Sequence, residues 1–244
     1  MKKFLLYSIF ALTAVCANAQ KNVYLSTLAG TDLNKYLGKN LTVIMNRHIF
    51  NGWNTICFPF SMTESEVNEV FGSDCILETL TEVSYNNSIV NLYFSDVKSK
   101  GIEANKPYIL HYSGETTSIP IRLENKELLN TDNSILINGV SFTGTQKHID
   151  GLGYYGILAK DNQNATFVAV DKSLSGFYAT RCYLNITSGS NCKVVTNHLS
   201  GATNISTITS DNAQNSEVYN LSGQKVSNMN KGVNIVNGKK VLVK

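Results

Sequence analysis

Few residues in this 244-residue sequence have the chemistry of a nucleophile, an acid–base pair or a metal ligand. Cysteine comes first, because a thiolate can attack or ligate when its setting is electropositive and accessible. Cys57 lies in Gly52-Trp53-Asn54-Thr55-Ile56-Cys57-Phe58-Pro59-Phe60, between Ile56 and Phe58. That run predicts a buried core thiol, so a Cys–His hydrolase built on Cys57 is not expected. His48, His111, His148 and His198 are isolated from one another in sequence, with no His pair at i and i+4 to hold zinc. Each is expected on the surface or in a turn. Phosphate loops, dinucleotide fingerprints and nucleophile elbows are absent from the sequence.

Carboxylates offer little more. Glycoside hydrolysis needs two opposed acids, and Asp96, Glu103, Asp150 and Asp171 fall near predicted strand ends with nothing to pair them. Asp161-Asn162-Gln163-Asn164 lacks the acidic periodicity and central Gly of an EF-hand loop, so a hairpin turn is expected there. No catalytic residue, metal or cofactor is assigned. Tyr154, Tyr155, Phe167 and Tyr178 are a candidate aromatic platform for a glycan or peptide, with cross-strand packing as the plainer expectation.

Cys57, Cys75, Cys182 and Cys192 remain once the N-terminal segment is set aside. Four cysteines allow three pairings. The local solution joins Cys57 to Cys75 and Cys182 to Cys192. The alternative is four buried thiols acting as small hydrophobes, since a chain of this length needs no staples.

The elements that must position these residues are mostly strands. Val, Ile, Tyr and Phe recur in short runs separated by Gly, Asn and Asp, the pattern of a β-sandwich or barrel-like domain. On a strand through 52–58, Trp53, Thr55 and Cys57 face one way and Asn54, Ile56 and Phe58 the other. Apolar groups on both sides predict burial on both faces. Pro59 lacks an amide donor and ends the pairing. Further strands are predicted at 41–45, 78–85, 89–94, 107–112, 119–123, 135–142, 154–158, 166–170 and 176–186, with a hairpin around Asn86-Asn87. Thr63-Glu64-Ser65-Glu66 is a capping box that opens a helix closed by Gly72. A second short helix is predicted from Thr31 to a stop at Gly38.

The two ends of the chain differ from the middle. Lys2 and Lys3, the apolar Phe4–Val15 run and Ala17-Asn18-Ala19 form a secretory signal peptide over 1–19. A lipoprotein signal at Cys16 is disfavoured because Val15 before it is branched. Loss of Lys2 and Lys3 takes the formal charge of +3 close to neutral. No basic stripe suggests nucleic acid, and no second long apolar segment suggests a transmembrane span after signal removal. A β-rich domain over 20–196 leads into an Asn/Ser/Thr-rich linker at 197–216 and a small hairpin module at 217–244, with a turn at Asn237-Gly238.

That last module resembles the type IX secretion system C-terminal sorting domain. The resemblance rests on Tyr219-Asn220-Leu221-Ser222-Gly223-Gln224-Lys225-Val226, then Lys231-Gly232-Val233-Asn234-Ile235-Val236, then Gly238-Lys239-Lys240-Val241. Tyr219, Asn220, Gly223, Gln224, Val226, Lys231, Gly232, Gly238 and Lys239 match the family's elements in order, while Asn234 stands where the family carries Tyr. The resemblance implies contact with the secretion machinery, translocation across an outer membrane and attachment at the cell surface. Residues 40–187 also resemble a β-rich region recurrent in secreted proteins with such tails. The matching pieces are Trp53–Phe60, Asn105–Leu110, Phe142–Thr145 and Phe177–Tyr183. The expectation is therefore a secreted or surface-associated, non-catalytic β-domain protein. The alternatives are a glycan- or peptide-binding adhesin-like module, or a secreted hydrolase of unrecognised type.

Overall fold

The computed structural model describes residues 21–157, 164–171, 176–187, 192–199, 218–220, 225–226, 231–236 and 239–243. The protein is mainly β, and the chain divides into two compact units, residues 1–199 and 200–244. In the first unit β1 (Lys21–Tyr24) runs parallel to β2 (Asn40–His48), which pairs antiparallel with β7 (Ser118–Glu127). A central sheet has the order β13 (Lys193–His198), β5 (Ile89–Asp96), β4 (Ile76–Asn86), β6 (Tyr108–Tyr112), β3 (Gly52–Ile56). A third sheet has the order β11 (Phe167–Ala169), β10 (Tyr155–Ile157), β12 (Arg181–Ile186), β9 (Val140–Thr145), β8 (Ser134–Ile137).

The central sheet is covered on both faces. Ile56, Phe58, Leu77, Tyr108 and Leu110 join Leu41, Val43, Ile121 and Leu123 of the first sheet in one apolar cluster. Trp53, Cys57, Leu80, Leu92, Phe94 and Ile109 join Phe142, Phe167, Cys182 and Leu184 of the third sheet in another. Strand β3 is buried at every position, and its alternation sends Trp53 and Ile56 to opposite clusters, as its parity predicts. A bulge between Leu80 and Glu82 resets the parity of β4, so Leu80 and Val83 reach the same cluster despite their odd spacing. Backbone pairing of β3 stops before Pro59; the Cys57 amide instead donates to the Thr180 carbonyl at 3.1 Å.

The α-helix α1 (Glu64–Phe71) carries both halves of the predicted capping box, with Val67 and Phe71 buried. Glu66 of α1 also pairs with Lys126 of β7 at 2.6 Å. Burial acts to raise the Glu66 carboxyl, but hydrogen bonds from Lys126 and from the Thr63 amide outweigh it and hold it below its ordinary value.

Three local expectations are corrected. The helix predicted from Thr31 to Gly38 is a single 3-10 turn over Leu33–Lys35 capped by Asp32. The Thr31 hydroxyl is instead spent on the Ser26 amide at 2.9 Å. The strand predicted over 135–142 is a hairpin, because Asn138 and Gly139 both take positive φ, at 45° and 76°, and form the two-residue turn between β8 and β9. Strand β13 runs through His198, past the predicted linker boundary, and pairs parallel with β5 from Lys193 opposite Ile89 to His198 opposite Phe94.

The second unit holds an antiparallel sheet of order β15 (Lys225–Val226), β14 (Val218–Tyr219), β16 (Gly232–Val236), β17 (Lys239–Val243).

Candidate functional site

The four predicted platform residues do not form one surface. Tyr155 of β10 pairs with Leu184, and Phe167 of β11 pairs with Ile157. That register turns both rings into the core, where they are 5% and 4% exposed. Phe167 lies edge-on to Phe142 with ring centroids 6.2 Å apart. Tyr178 stays outside, near His148 at 5.1 Å. Tyr154 packs not on its predicted partners but on Tyr183, with the rings tilted and 4.6 Å apart, and Tyr183 lies 5.3 Å from Phe177. Tyr183 alternates with the inward Cys182 and Leu184, so these rings lie on the outer face of the third sheet. Gly156 makes room for them: a Cβ there would stand 2.9 Å from the Phe177 ring. Burial, and then Tyr154, push the Tyr183 hydroxyl upward in pKa.

A second cluster surrounds the only Trp. Trp53 stacks on His198 at 4.4 Å and meets His111 edge-on at 5.2 Å. The pairing of Trp53 with His111 across β3 and β6, together with the parallel run of β13, brings together two histidines that the sequence separates. His48 and His148 are exposed, as expected, whereas His111 and His198 are half-buried on strands, which corrects the surface expectation for those two. His198 Nδ1 lies 2.5 Å from Glu78 Oε2, and Glu78 is 1% exposed. A carboxylate that orients an imidazole is an acid–base arrangement in principle. Here the other nitrogen, Nε2, is buried without a partner, so no reactant reaches it. The pair instead clasps β13 onto β4.

A third cluster lies where β2, β3 and β12 meet. Arg47 is 1% exposed and, among the described residues, pairs with no carboxylate. Its guanidinium donates to the carbonyls of His48 at 2.8 Å, Thr55 at 2.7 Å and Thr180 at 3.5 Å. Arg181 donates to the same His48 carbonyl at 3.4 Å. Burial, and then the neighbouring Arg181 cation, hold Arg47 well below the ordinary guanidinium pKa. Thr180 takes φ of 66°, which costs a β-branched residue strain. Its carbonyl is nonetheless used by the Cys57 amide and by Arg47. Sequence reasoning missed Arg47, because a lone Arg at the end of a strand pattern reads as solvated.

All four described cysteines are free thiols. Cys75 belongs to the first apolar cluster and Cys57 to the second. The predicted local pair is thus split across the central sheet. Cys182 lies opposite Gly144, whereas Cys192 precedes Lys193, which bonds to Ser88 in the turn that leads into β5. Neither Cys182 nor Cys192 is in a disulfide. Both local pairings are therefore corrected.

The predicted acids have turn roles. Asp96 accepts from the Lys98 amide at 2.8 Å, Glu103 pairs with Lys106 at 3.0 Å, and Asp150 accepts from the Leu152 amide at 3.0 Å. Asp171 lies exposed after β11. Of the candidate calcium loop only Asn164 is described. Among the described residues no group of three His, Cys, Asp or Glu is placed to hold a metal ion, and no helix is long and apolar enough to cross a membrane.

In the second unit the described motif residues occupy one sheet. Tyr219 of β14 stands opposite Lys225 and Ile235, and Val226 stands opposite Val218. Gly232 opens β16 opposite Val243, and Lys239 opens β17 opposite Val236. Lys231 is exposed, Asn220 is half-buried, and Asn234, at the position of the family's Tyr, is 2% exposed. Gly223, Gln224 and Gly238 lie outside the described residues. Comparison of the chain with protein-family models, with curated proteins and with solved structures finds no match.

Proposed function

We propose that the protein is an exported, surface-associated, non-catalytic β-domain protein and that residues 217–244 are its sorting signal. The observation that carries this proposal is the separation of residues 200–244 into their own compact unit. Within that unit the three motif-bearing segments supply the four strands of one sheet. A module built this way can be recognised, and removed, without disturbing the larger domain. The test is deletion of 217–244 followed by fractionation and surface labelling. Export is expected to stall, with the protein retained inside the cell envelope. Unchanged surface exposure of residues 20–216 would end the sorting assignment.

A second function, capture of a glycan or peptide, is favoured by the half-buried Tyr154 and Tyr183 rings on the outer face of the third sheet, backed by the buried Phe177. Sugar faces stack on such rings, and aromatic side chains contribute large contact areas at low entropic cost. Binding on a broad glycan array that is lost in Tyr154→Ala, with the melting curve unchanged, supports capture; silence across the array counts against it.

A further inference from the structure

Cys57 follows β3 and Cys182 lies on β12, so the two cysteines come from different sheets and from distant parts of the chain. Three features bring their side chains together. The Cys57 amide donates to Thr180 at 3.1 Å, and the Cys182 amide donates to the Thr55 hydroxyl at 3.0 Å. These bonds lock the end of β3 to the start of β12. Cys182 is the register partner of Gly144 on β9, and a Cβ on Gly144 would overlap both Cβ and Sγ of Cys57. The Cys57 side chain therefore occupies the space directly over Gly144, next to Cys182. Finally, Cys182 Sγ points back at β3, 3.1 Å from the carbonyl of Ile56, the residue before Cys57. Both residues are buried, at 0% and 1% exposure.

We propose that Cys57 and Cys182 are a disulfide site that staples the central sheet to the third sheet, closed by thiol–disulfide exchange as the chain folds. In the step one cysteine thiolate attacks the disulfide of a dithiol oxidant and releases one of its sulfurs as a thiol. The second cysteine then attacks the mixed disulfide and releases the other. The protein loses two protons and two electrons, forming one S–S bond, and the oxidant's S–S bond is reduced to two thiols. Closure belongs to folding and not to the finished domain. Burial, followed by the hydrogen bond with Cys57, pushes the Cys182 thiol well above its ordinary pKa, and no solvent path reaches a pair at this exposure. Gln146 covers the remaining side: its amide donates to the Cys57 carbonyl at 3.1 Å and lies 3.7 Å from Cys57 Sγ.

The test uses the full chain, unfolded and reduced, then refolded in buffer with a glutathione/glutathione disulfide couple. Free thiols are blocked with iodoacetamide in guanidinium, and the digest is mapped by mass spectrometry without reduction. The expected product is a peptide pair linked through Cys57 and Cys182, with Cys75 and Cys192 alkylated. Protein refolded in dithiothreitol throughout is expected to melt about 5–15 °C below protein refolded in the glutathione couple, because the bond closes a long loop. Recovery of Cys57 and Cys182 as alkylated thiols, or linkage of either to another cysteine, overturns the proposal. A linked pair with no such difference in Tm overturns the staple. A Cys75→Ser/Cys192→Ser variant that still yields the same linked peptide separates specific pairing from scrambling. None of these outcomes depends on whether the tail directs export.

Discussion

The two faces of the central sheet bury polar groups in different ways. On the face turned to α1 and the first sheet, Ile56, Leu77, Tyr108 and Leu110 meet aliphatic and aromatic neighbours. The buried Asn54 of β3 spends its amide locally, on the carbonyls of Phe50 and Gly52. On the face turned to the third sheet, polar contacts join segments far apart in sequence: Cys182 to Thr55, Glu78 to His198 and, at the seam, Arg47 to Thr55 and Thr180. The difference separates two jobs. Apolar burial is non-directional and tolerates repacking, so the first face supplies bulk stability. Buried polar groups cost free energy unless each finds its partner, so the second face admits one alignment of the third sheet against the central one.

Arg47 offers the strongest way to break this contrast. In Arg47→Met two effects oppose each other. Removing a buried guanidinium relieves desolvation, which can stabilise; losing it takes a donor from the His48, Thr55 and Thr180 carbonyls. Although no carboxylate pairs with Arg47 among the described residues, the three carbonyls that lose a donor set the expected sign. Destabilisation of about 3 kcal/mol is expected, read from urea unfolding midpoints at unchanged m-value. A variant as stable as the parent would mean that water serves those carbonyls and that the seam is not a dry, directional contact.

Gly144→Ala is expected to cost less. The added methyl collides with Cys57, and overpacking of this kind costs about 1–3 kcal/mol. Thermal melts of the reduced protein measure it. Gly144→Ala combined with Cys57→Ala recovers only the part of the loss due to Sγ, because the Cβ of residue 57 still stands 2.5 Å from the new methyl. A double variant no more stable than Gly144→Ala would place the whole constraint in that Cβ and the backbone that carries it.

Which parts were legible in the sequence follows from the same contrast. The capping box of α1 and the two-faced burial of β3 depend on neighbours within a few residues, and both were readable. The β8–β9 hairpin was missed because Ile135–Ile137 and Val140–Phe142 read as one apolar run, although Asn138-Gly139 was the available signal. Strand β13 was obscured because its Val194 and Val195 are flanked by polar residues and its partner β5 lies a hundred residues earlier. The Arg47 carbonyl clamp, the Trp53–His198 stack and the Cys57–Cys182 approach arise only when sheets pack on sheets. No spacing in one dimension encodes them. Tyr155 and Phe167 were drawn toward the wrong surface for a related reason: aromatic content does not say which strand face looks inward.

Glu66→Gln probes the one ion pair that, among the described residues, bridges elements on the first face, and its effect is the smallest. Glu66 joins α1 to β7 through Lys126 at 2.6 Å. Its folded carboxyl lies below the ordinary value of 4.5, with burial raising it and the Lys126 and Thr63 hydrogen bonds lowering it further. A carboxyl depressed on folding contributes stability that is complete above the unfolded pKa and is lost as pH falls through the folded pKa. The parent is therefore expected to lose a small increment of stability as pH drops below about 4.5, and Glu66→Gln to lack that increment at every pH. At pH 7 the variant should be weaker by about 0.5 kcal/mol; as pH falls through the folded Glu66 value the two should converge. Paired denaturant titrations across that range measure the convergence. A gap that persists at low pH would show that the Glu66 contribution comes from the neutral hydrogen bond to the helix cap, and that the first face relies on apolar packing and local caps alone.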